Sequence, residues 1–428
     1  MAELEEIKLD WASKSIKEYQ KLDPKTCHEV LTRAKKIRKK AIIHINSTSS
    51  GGGVAEILRS QIPLEKSLGI ESHWLVIKAE RRFFVITKKI HNLLQGKVGF
   101  LSEKEKEFFL SVNRELGREL AEFLKRFKNG IVIIHDPQPL PLIKIVPKNF
   151  SSLLRLHIDL SLPNPSVLEF LRPFIINYDQ VIISNKDYAL ALPWIKKSKL
   201  KIIYPAIDPF SDKNKSMSPE VAREIIVDHG ITPTKPIIVQ VSRFDPWKGQ
   251  LGVIQAYYLA KNKIPDLQLV QVGFFEAQDD PEAISSFKQI RKHEKGDLNI
   301  HFFYNPKQLK NISDDILINA FCTASPIMVQ GSIREGFGLT ITEAMWKGKP
   351  IIAGITAGSR LQIENKKNGI LVTSPEEMAK WIVRLLKDEK LREKLGRRAR
   401  ESVKRHFLMP RYILDNLKLY ILGNIKLK

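Results

Sequence analysis

The 428-residue sequence predicts a parallel α/β fold built on two similar sheets. Short runs rich in Val, Ile and Leu alternate with longer amphipathic stretches, the pattern of parallel strands joined by crossover helices. The strand runs are mostly continuous in hydrophobicity rather than alternating, as strands covered on both faces must be. The length exceeds one ordinary core and suits two domains of roughly 200 residues each.

The elements follow in order. In the first half the strand candidates are AIIHIN (41–46), SHWLVIKA (72–79), GIVIIHD (130–136), SLLRLHID (152–159), QVIISN (180–185) and LKIIYPA (200–206). In the second half they are PIIVQVS (236–242), LQLVQVG (267–273), NIHFFY (299–304), PIMVQ (326–330), PIIAG (350–354) and GILV (369–372). Between the halves, YPAIDPFSDKNKSMSPE (204–220) is rich in Pro, Ser, Lys and Asp without periodicity, which puts an interdomain linker near 207–215. The first 40 residues read as polar helices. Pro410 should break or kink the long helical tail, so that a last helix starts near Arg411 and packs back on the first domain. The expected division is a helical extension (1–40), a first domain (41–207), a second domain (208–410) and a C-terminal helix (411–428).

Composition narrows the function classes. Hydrophobic residues at 43% and charged residues at 27% describe a globular chain. No run approaches the roughly 18 apolar residues of a membrane span, and MAELEEIKLD is acidic where a signal peptide would be basic, so a cytoplasmic protein is expected. Cys27 and Cys322 have neither metal-ligand spacing nor a framework of partners, and are expected to be free buried thiols. The net charge of +23 invites nucleic-acid binding without catalysis as a competing class. The basic runs, RAKKIRKK (33–40) and REKLGRRARESVKRH (392–406), read instead as solvated faces of amphipathic helices, with no accompanying aromatic or zinc module.

Each half carries a glycine-rich strand-to-helix turn. In HINSTSSGGGVAEIL the strand ends at Asn46, glycines 51–53 allow close backbone approach, and a helix begins near Val54; free N–H groups and the helix dipole make such a turn an anion site. In SIREGFGLTITEAMWKGKP a helix starts near Leu339 or Thr340 and stops before Gly348, its N-terminus aimed where Gly336 and Gly338 admit a ligand. Thr340 and Glu343 are spaced as a capping box, which leaves Glu335 unexplained. Carboxylates would repel a phosphate, so Glu335 and Glu343 better accept bonds from hydroxyls flanking a diphosphate. QVSRFDPWKG adds Arg243, a planar fork, and Lys248, a point charge, at the C-terminal end of a strand, where α/β sheets bind ligands. A glycosidase pair is disfavoured because no eightfold barrel pattern accompanies the two glutamates. A metal site is not expected, since Asp279, Asp280, Asp314 and Asp315 read as turn or cap residues. Two first-half strands end in His and Asp, as His135-Asp136 and His157-Asp159.

At these residues the chain resembles a known family. EGFGLTITE (335–343), SRFDPWKG (242–249) and GGGVAE (51–56) resemble the retaining glycosyltransferases of family GT4 with the GT-B fold, two Rossmann-like doubly wound parallel-sheet domains facing each other across a cleft. More narrowly, HINSTSSGGGVAEIL, IIHDPQP, LHIDLSLPNP, YPAIDPFSDKN and QVSRFDPWKG are similar to trehalose glycosyltransferring synthases and their phosphorylase relatives, over about residues 41–420. The resemblance implies transfer of glucose from ADP-glucose or UDP-glucose to C1 of glucose, with trehalose phosphorolysis or another GT4 sugar transfer as alternatives and a non-transferring nucleotide-sugar sensor as a further one. It implies that Arg243 and Lys248 hold the diphosphate, that Glu335 meets the donor glucose, and that Glu343 meets the ribose. Gly336, Phe337, Gly338, Leu339 and Thr340 would line the donor, Gly52 and Gly53 would close over it, and His157, Asp136, Gln138 and Asp159 would lie at the reacting carbon and acceptor. No cofactor is required, Mg2+ being at most a stimulant; the partners are small sugars, with no nucleic acid and no membrane span, and the chain could pair as a homodimer. Where family members carry a Gly-Gly-Ile-Pro-like turn this chain reads TAGSRLQI, adding Arg360 as a cation near the donor, and segment 305–325 also diverges.

Overall fold

A computed structural model describes residues 2–10, 14–275 and 282–422. It divides into two compact units, one running to Pro205 and resuming at Met409, the other spanning the described residues from Ala206 to Leu408.

The first unit contains β1 (Glu3–Glu6), α1 (Pro24–Ala34), β2 (Ala41–Asn46), α2 (Gly53–Ser67), β3 (Glu71–Lys78), α3 (Arg81–Leu94), α4 (Glu103–Leu124), β4 (Gly130–His135), β5 (Phe150–Leu156), α5 (Pro165–Ile175), β6 (Gln180–Ile183) and β7 (Leu200–Ile202). Its sheet has the order β1-β3-β2-β4-β5-β6-β7. Strands β2 to β7 pair in parallel, and β2, β4 and β5 are buried along their whole length, as their continuous apolar runs require. The chain reverses its direction of travel across the sheet between β2 and β4, which makes their C-terminal ends a topological switch point.

The reading of residues 1–40 as helical is corrected at Glu3–Glu6, which pair antiparallel with β3. Glutamate has poor strand propensity, but here the edge pairing puts Glu5 2.9 Å from Lys78 and Glu6 2.6 Å from His73, so tertiary partners override the local preference.

The second unit contains α6 (Pro219–Asp228), β8 (Ile237–Val241), α7 (Gln250–Lys261), β9 (Gln268–Val272), α8 (Ala283–Arg291), β10 (Ile300–Phe303), α9 (Asp314–Ala324), β11 (Ile327–Gln330), α10 (Leu339–Trp346), β12 (Ile351–Gly354), α11 (Ala357–Gln362), β13 (Ile370–Val372), α12 (Pro375–Lys387) and α13 (Glu389–His406). Its parallel sheet has the order β10-β9-β8-β11-β12-β13, with the switch between β8 and β11. Its core gathers Ile238, Val253, Tyr257, Leu269, Val329, Ile352 and Ile382 from strands and covering helices. In α13 the basic run lies on the outer face, while Leu395, Ala399 and Val403, four residues apart, are buried.

Residues 207–215, read as a linker, are packed within this second unit. Asp208, Lys213 and Asn214 are buried, Asn214 Nδ2 donates to Asp208 O at 3.1 Å, and Asn319 of α9 donates to Asp212 O and Lys215 O at 2.6 and 3.0 Å. Their polar composition builds turns that satisfy one another. The helical tail is interrupted just before Pro410: α13 stops at His406, and the last helix, α14 (Met409–Leu422), starts with Pro410 in its first turn, where no N–H bond is lost. The helix belongs to the first unit, where Asn416 accepts from Arg155 at 3.0 Å and Tyr420 reaches Glu65 at 3.3 Å. Residues 423–428 of the expected terminal helix lie outside the described residues.

Candidate active site

In the second unit the loops after β8 and β11 meet at the switch point. Gly249 lies at φ 63°, and a Cβ there would stand 2.0 Å from Gly331 O, so only two glycines permit this backbone contact. Buried glutamines hold the first loop: Gln240 donates to Lys248 O at 2.9 Å, and Gln250 donates to Arg243 O at 2.7 Å. Ile333 N donates to Trp247 O at 2.9 Å, locking the second loop to the first.

On this frame Lys248 Nζ donates to Oε1 and Oε2 of Glu335 at 2.7 and 2.8 Å, and Ser332 Oγ donates to Oε2 at 3.0 Å. Glu335 is 8% exposed, so its charge is tolerable only with these partners. Arg243 sits partly buried in the same loop.

The capping box does not form. Gly338 is the N-cap of α10 at φ 86°, a left-handed conformation that favours glycine, and Thr340 is the second residue of the helix. No side chain caps this N-terminus, and Leu339 and Thr340 are partly buried. Glu343 is 3% exposed and lies 3.0 Å from Lys213. Gly336 is buried, and the Phe337 ring packs edge-on against Phe407 in the core, so that ring is a packing group.

Behind the loop lies α11, the divergent TAGSRLQI segment. Gln362 Nε2 donates to Phe337 O at 2.6 Å, Thr342 Oγ1 donates to Gln362 Oε1 at 2.6 Å, and Gly358 N donates to Glu335 O at 3.1 Å. Arg360 is exposed on α11. The divergent residues therefore support the Glu335 loop from beneath. Sequence reasoning missed Lys213, Ser332 and Gln362; Lys213 and Gln362 are lone polar residues whose partners are distant in the chain, and Ser332 is a small polar residue three positions before Glu335 with no motif to mark it.

In the first unit Asn46 ends β2, accepts from Trp74 Nε1 at 2.7 Å and donates to Thr48 O at 2.7 Å, fixing the start of the glycine turn. Gly52 is the N-cap of α2 with no side-chain cap, and Gly53 is its first residue. A Cβ at Gly52 would meet no atom within 4 Å, and its φ of −148° is ordinary, so protein packing does not require the glycine.

Across the switch, Asp136 adopts φ 63°, which costs about 1–2 kcal/mol for a residue with a Cβ. Its Oδ1 accepts from His157 N at 2.7 Å, binding the ends of β4 and β5 together. Asp159 is buried and accepts from Ser161 N at 2.8 Å. Gln138 is buried, and its Oε1 has no hydrogen-bond partner among the described residues.

Behind His157 runs a file of buried rings. His157 Nε2 lies 3.0 Å from His135 Nδ1, His135 Nε2 lies 3.1 Å from His44 Nδ1, and His44 Nε2 lies 3.2 Å from Glu65 Oε2. Burial, reinforced by the charge of Arg155, holds His135 and His157 well below the usual histidine range, hence neutral. Burial pushes Glu65 up, but its electrostatic interaction with His44 and the bonds it accepts from His44, Ser72 and Gln61 outweigh burial and leave the carboxyl below its ordinary value.

Among the described residues no group of three or more His, Cys, Asp or Glu side chains could hold a metal ion, and no helix is long and apolar enough to cross a membrane. Asp314 and Asp315 occupy the first turn of α9 after the cap Ser313, whereas Asp279 and Asp280 lie outside the described residues. Cys27 and Cys322 are free and buried, and burial pushes their thiols up to about 11 and about 12, out of the reactive range.

Known proteins resemble this chain over most of its length. Residues 44–190 match the family model of the trehalose synthase N-terminal domain, and residues 221–402 match that of glycosyl transferases group 1. A trehalose synthase of Pyrococcus horikoshii is 42% identical over 90% of each chain. A trehalose synthase of Thermococcus litoralis is 37% identical over 96% of this chain and 97% of its own. The fold is shared with a UDP-forming α,α-trehalose-phosphate synthase of Burkholderia xenovorans at a TM-score of 0.70 and 16% identity, over 90% of this chain and 99% of that one. Two parallel sheets, a carboxylate–lysine pair at the second switch point and these likenesses converge: the chain belongs to the trehalose synthase family of group 1 glycosyltransferases, and is a hexosyltransferase of the GT-B fold.

Proposed function

We propose that this enzyme transfers glucose, with retention, from a nucleoside diphosphate glucose to C1 of free glucose, forming α,α-trehalose. The observation that carries the reading is the Lys248–Glu335 pair beside the uncapped N-terminus of α10. Positive groups suit a diphosphate and the adjoining carboxylate suits the hydroxyls of the attached sugar.

On this reading Arg243, Lys248 and the amides of Gly338, Leu339 and Thr340 stabilise the charge that develops on the diphosphate as its bond to the anomeric carbon breaks. Glu335 accepts from donor-sugar hydroxyls and Glu343 from the ribose. Gly52 and Gly53 supply further amides to the donor. Asp136, His157, Gln138 and Asp159 orient the acceptor, whose oxygen bonds to the anomeric carbon on the face the diphosphate leaves. The acceptor proton passes to the departing phosphate oxygen. The likeness to trehalose synthases supports the sugar assignment; the nucleotide is assigned only as ADP or UDP.

The test is a panel of nucleotide sugars incubated with glucose and the purified protein. Release of a non-reducing disaccharide together with nucleoside diphosphate is expected. Lack of transfer from every donor, or turnover of trehalose only when inorganic phosphate replaces the nucleotide, overturns the reading.

A further inference from the structure

The file of rings behind His157 crosses three neighbouring strands, with His44 on β2, His135 on β4 and His157 just beyond β5, and ends on Glu65 of α2. His44 and His135 are essentially unexposed, and Glu65 is 1% exposed. A hydrophobic core does not need four polar side chains in series, and burying them is costly unless every atom is satisfied.

With one proton on each ring, hydrogen-bond accounting leaves one arrangement. The Glu65 oxygens face four donors: Ser72 Oγ at 2.5 Å and His44 on Oε2, and Gln61 Nε2 at 2.7 Å and Tyr420 OH at 3.3 Å on Oε1. An all-acceptor site belongs to an ionised carboxylate. His44 must then donate from Nε2, which leaves its Nδ1 bare to accept. His135 in turn must donate from Nε2 to that atom, and its own bare Nδ1 must accept from His157 Nε2. Each singly protonated ring would thereby dictate the tautomer of the next. The direction set at Glu65 emerges at His157 as a ring with Nε2–H turned inward and an unprotonated Nδ1, an atom with no hydrogen-bond partner among the described residues. Arg155, whose guanidinium donates to Asn416 at 3.0 Å and to Ile203 O at 3.2 Å, adds a fixed positive charge that opposes a second proton on either nearby ring.

We propose that Glu65, His44 and His135 are positioning residues that lock His157 as the Nε2–H tautomer, so that its Nδ1 lone pair accepts the hydrogen of a sugar hydroxyl. The role deepens the glucosyl-transfer reading and rests on it for the identity of the hydroxyl. A ring of the opposite tautomer would present N–H to the same hydroxyl and select the opposite hydrogen-bond sense, although no atom of the site had moved. Asp136 fixes the backbone of the same residue, so His157 is held at both its amide and its ring.

Glu65→Gln is the diagnostic substitution. The new carboxamide keeps an oxygen toward Gln61 and Tyr420 and turns its NH2 toward Ser72 and His44, which forces His44 to accept at Nε2 and reverses every bond of the file. The ring-nitrogen signals of the full-length, ligand-free chain labelled with 15N-histidine report the tautomer directly, and kcat and KM are measured on the same preparations. In the native chain His157 should show a bare Nδ1 and a protonated Nε2. In Glu65→Gln the two assignments should exchange and kcat should fall at least about tenfold with a smaller change in KM, since inverting a histidine tautomer through its carboxylate partner is known to be costly. A protonated Nδ1 in the native chain overturns the proposal, and this measurement stands even if the variant does not fold. So does a reversed file with kcat intact, or a lost kcat with the tautomer unchanged. Because the signals are read without ligand, a failed donor panel would sink the glucosyl-transfer reading and leave the tautomer result standing.

Discussion

The ammonium of Lys248 donates to both carboxylate oxygens of Glu335, at 2.7 and 2.8 Å, and so joins the two loops that flank the switch point of the second sheet. The pair is both a structural clasp and, on the proposed reading, the place where diphosphate and sugar part. These roles separate by mutation. Lys248→Met removes the ammonium that balances the buried Glu335 carboxylate and should lower stability by roughly 1–3 kcal/mol. It should also reduce kcat by about a hundredfold or more through the lost positive group. Adding Glu335→Gln should restore much of the stability and none of the activity. Unfolding curves and turnover of the single and double variants check this; recovery of turnover in the double variant would contradict it.

Two glycines should respond in opposite ways. Gly52→Ala places its methyl in open space at a permitted backbone angle, so stability should change by less than about 1 kcal/mol while KM for the donor rises. Gly249→Ala drives a methyl to 2.0 Å from Gly331 O at positive φ, and should destabilise by well over about 1 kcal/mol. Thermal midpoints with donor KM values distinguish the two, and a normal KM in Gly52→Ala would remove the case for close approach at that turn.

Deleting the support beneath the Glu335 loop should act at a distance. Gln362→Leu removes the 2.6 Å bond to Phe337 O and leaves Thr342 without its acceptor, at a cost of roughly 1–3 kcal/mol. Since Gln362 holds backbone and not ligand on this reading, donor KM should rise several-fold because loop 335–338 loosens. Hydrogen exchange of the loop amides should speed up in parallel; unchanged exchange would deny Gln362 a supporting role.

The buried histidines set a pH dependence whose sign follows from their depressed values. Unfolded histidines bind protons near pH 6.5, whereas native His135 and His157 stay neutral to lower pH. Below about pH 6.5 the unfolded chain therefore holds more protons, so the stability these rings contribute is complete above that pH and declines as pH falls beneath it. The slope should reach at most about 1.4 kcal/mol per pH unit for His135 and less for the partly exposed His157. Glu65, held low in the native state, adds a second loss only at still lower pH, as the pH falls through its native value. Hydrogen exchange of β4 amides between pH 5 and 8 measures the effect, and His135→Gln should flatten it. A flat native profile would mean that these rings are protonated in the fold.

Much of this architecture is legible locally. Buried strands such as AIIHIN and GIVIIH announce themselves because a strand covered on both faces must be apolar throughout, and the glycine turns after Asn46 and around Gly338 announce themselves because few other residues allow such backbones. By itself the sequence determined the two parallel sheets, the glutamates at 335 and 343, and Lys248 in a loop after a strand. Only the tertiary structure decided what each of these touches. Strand order is non-local, so nothing in the chain announces that β2, β4 and β5 lie side by side and thread His44, His135 and His157 onto Glu65. The same holds for Lys213, read as part of a linker and found against Glu343, and for Glu3–Glu6, whose acidic residues become a strand only because β3 offers an edge and cations. Hydrophobic burial writes itself into sequence as a pattern, whereas a buried polar contact is a pairing of two distant residues that leaves no period to read.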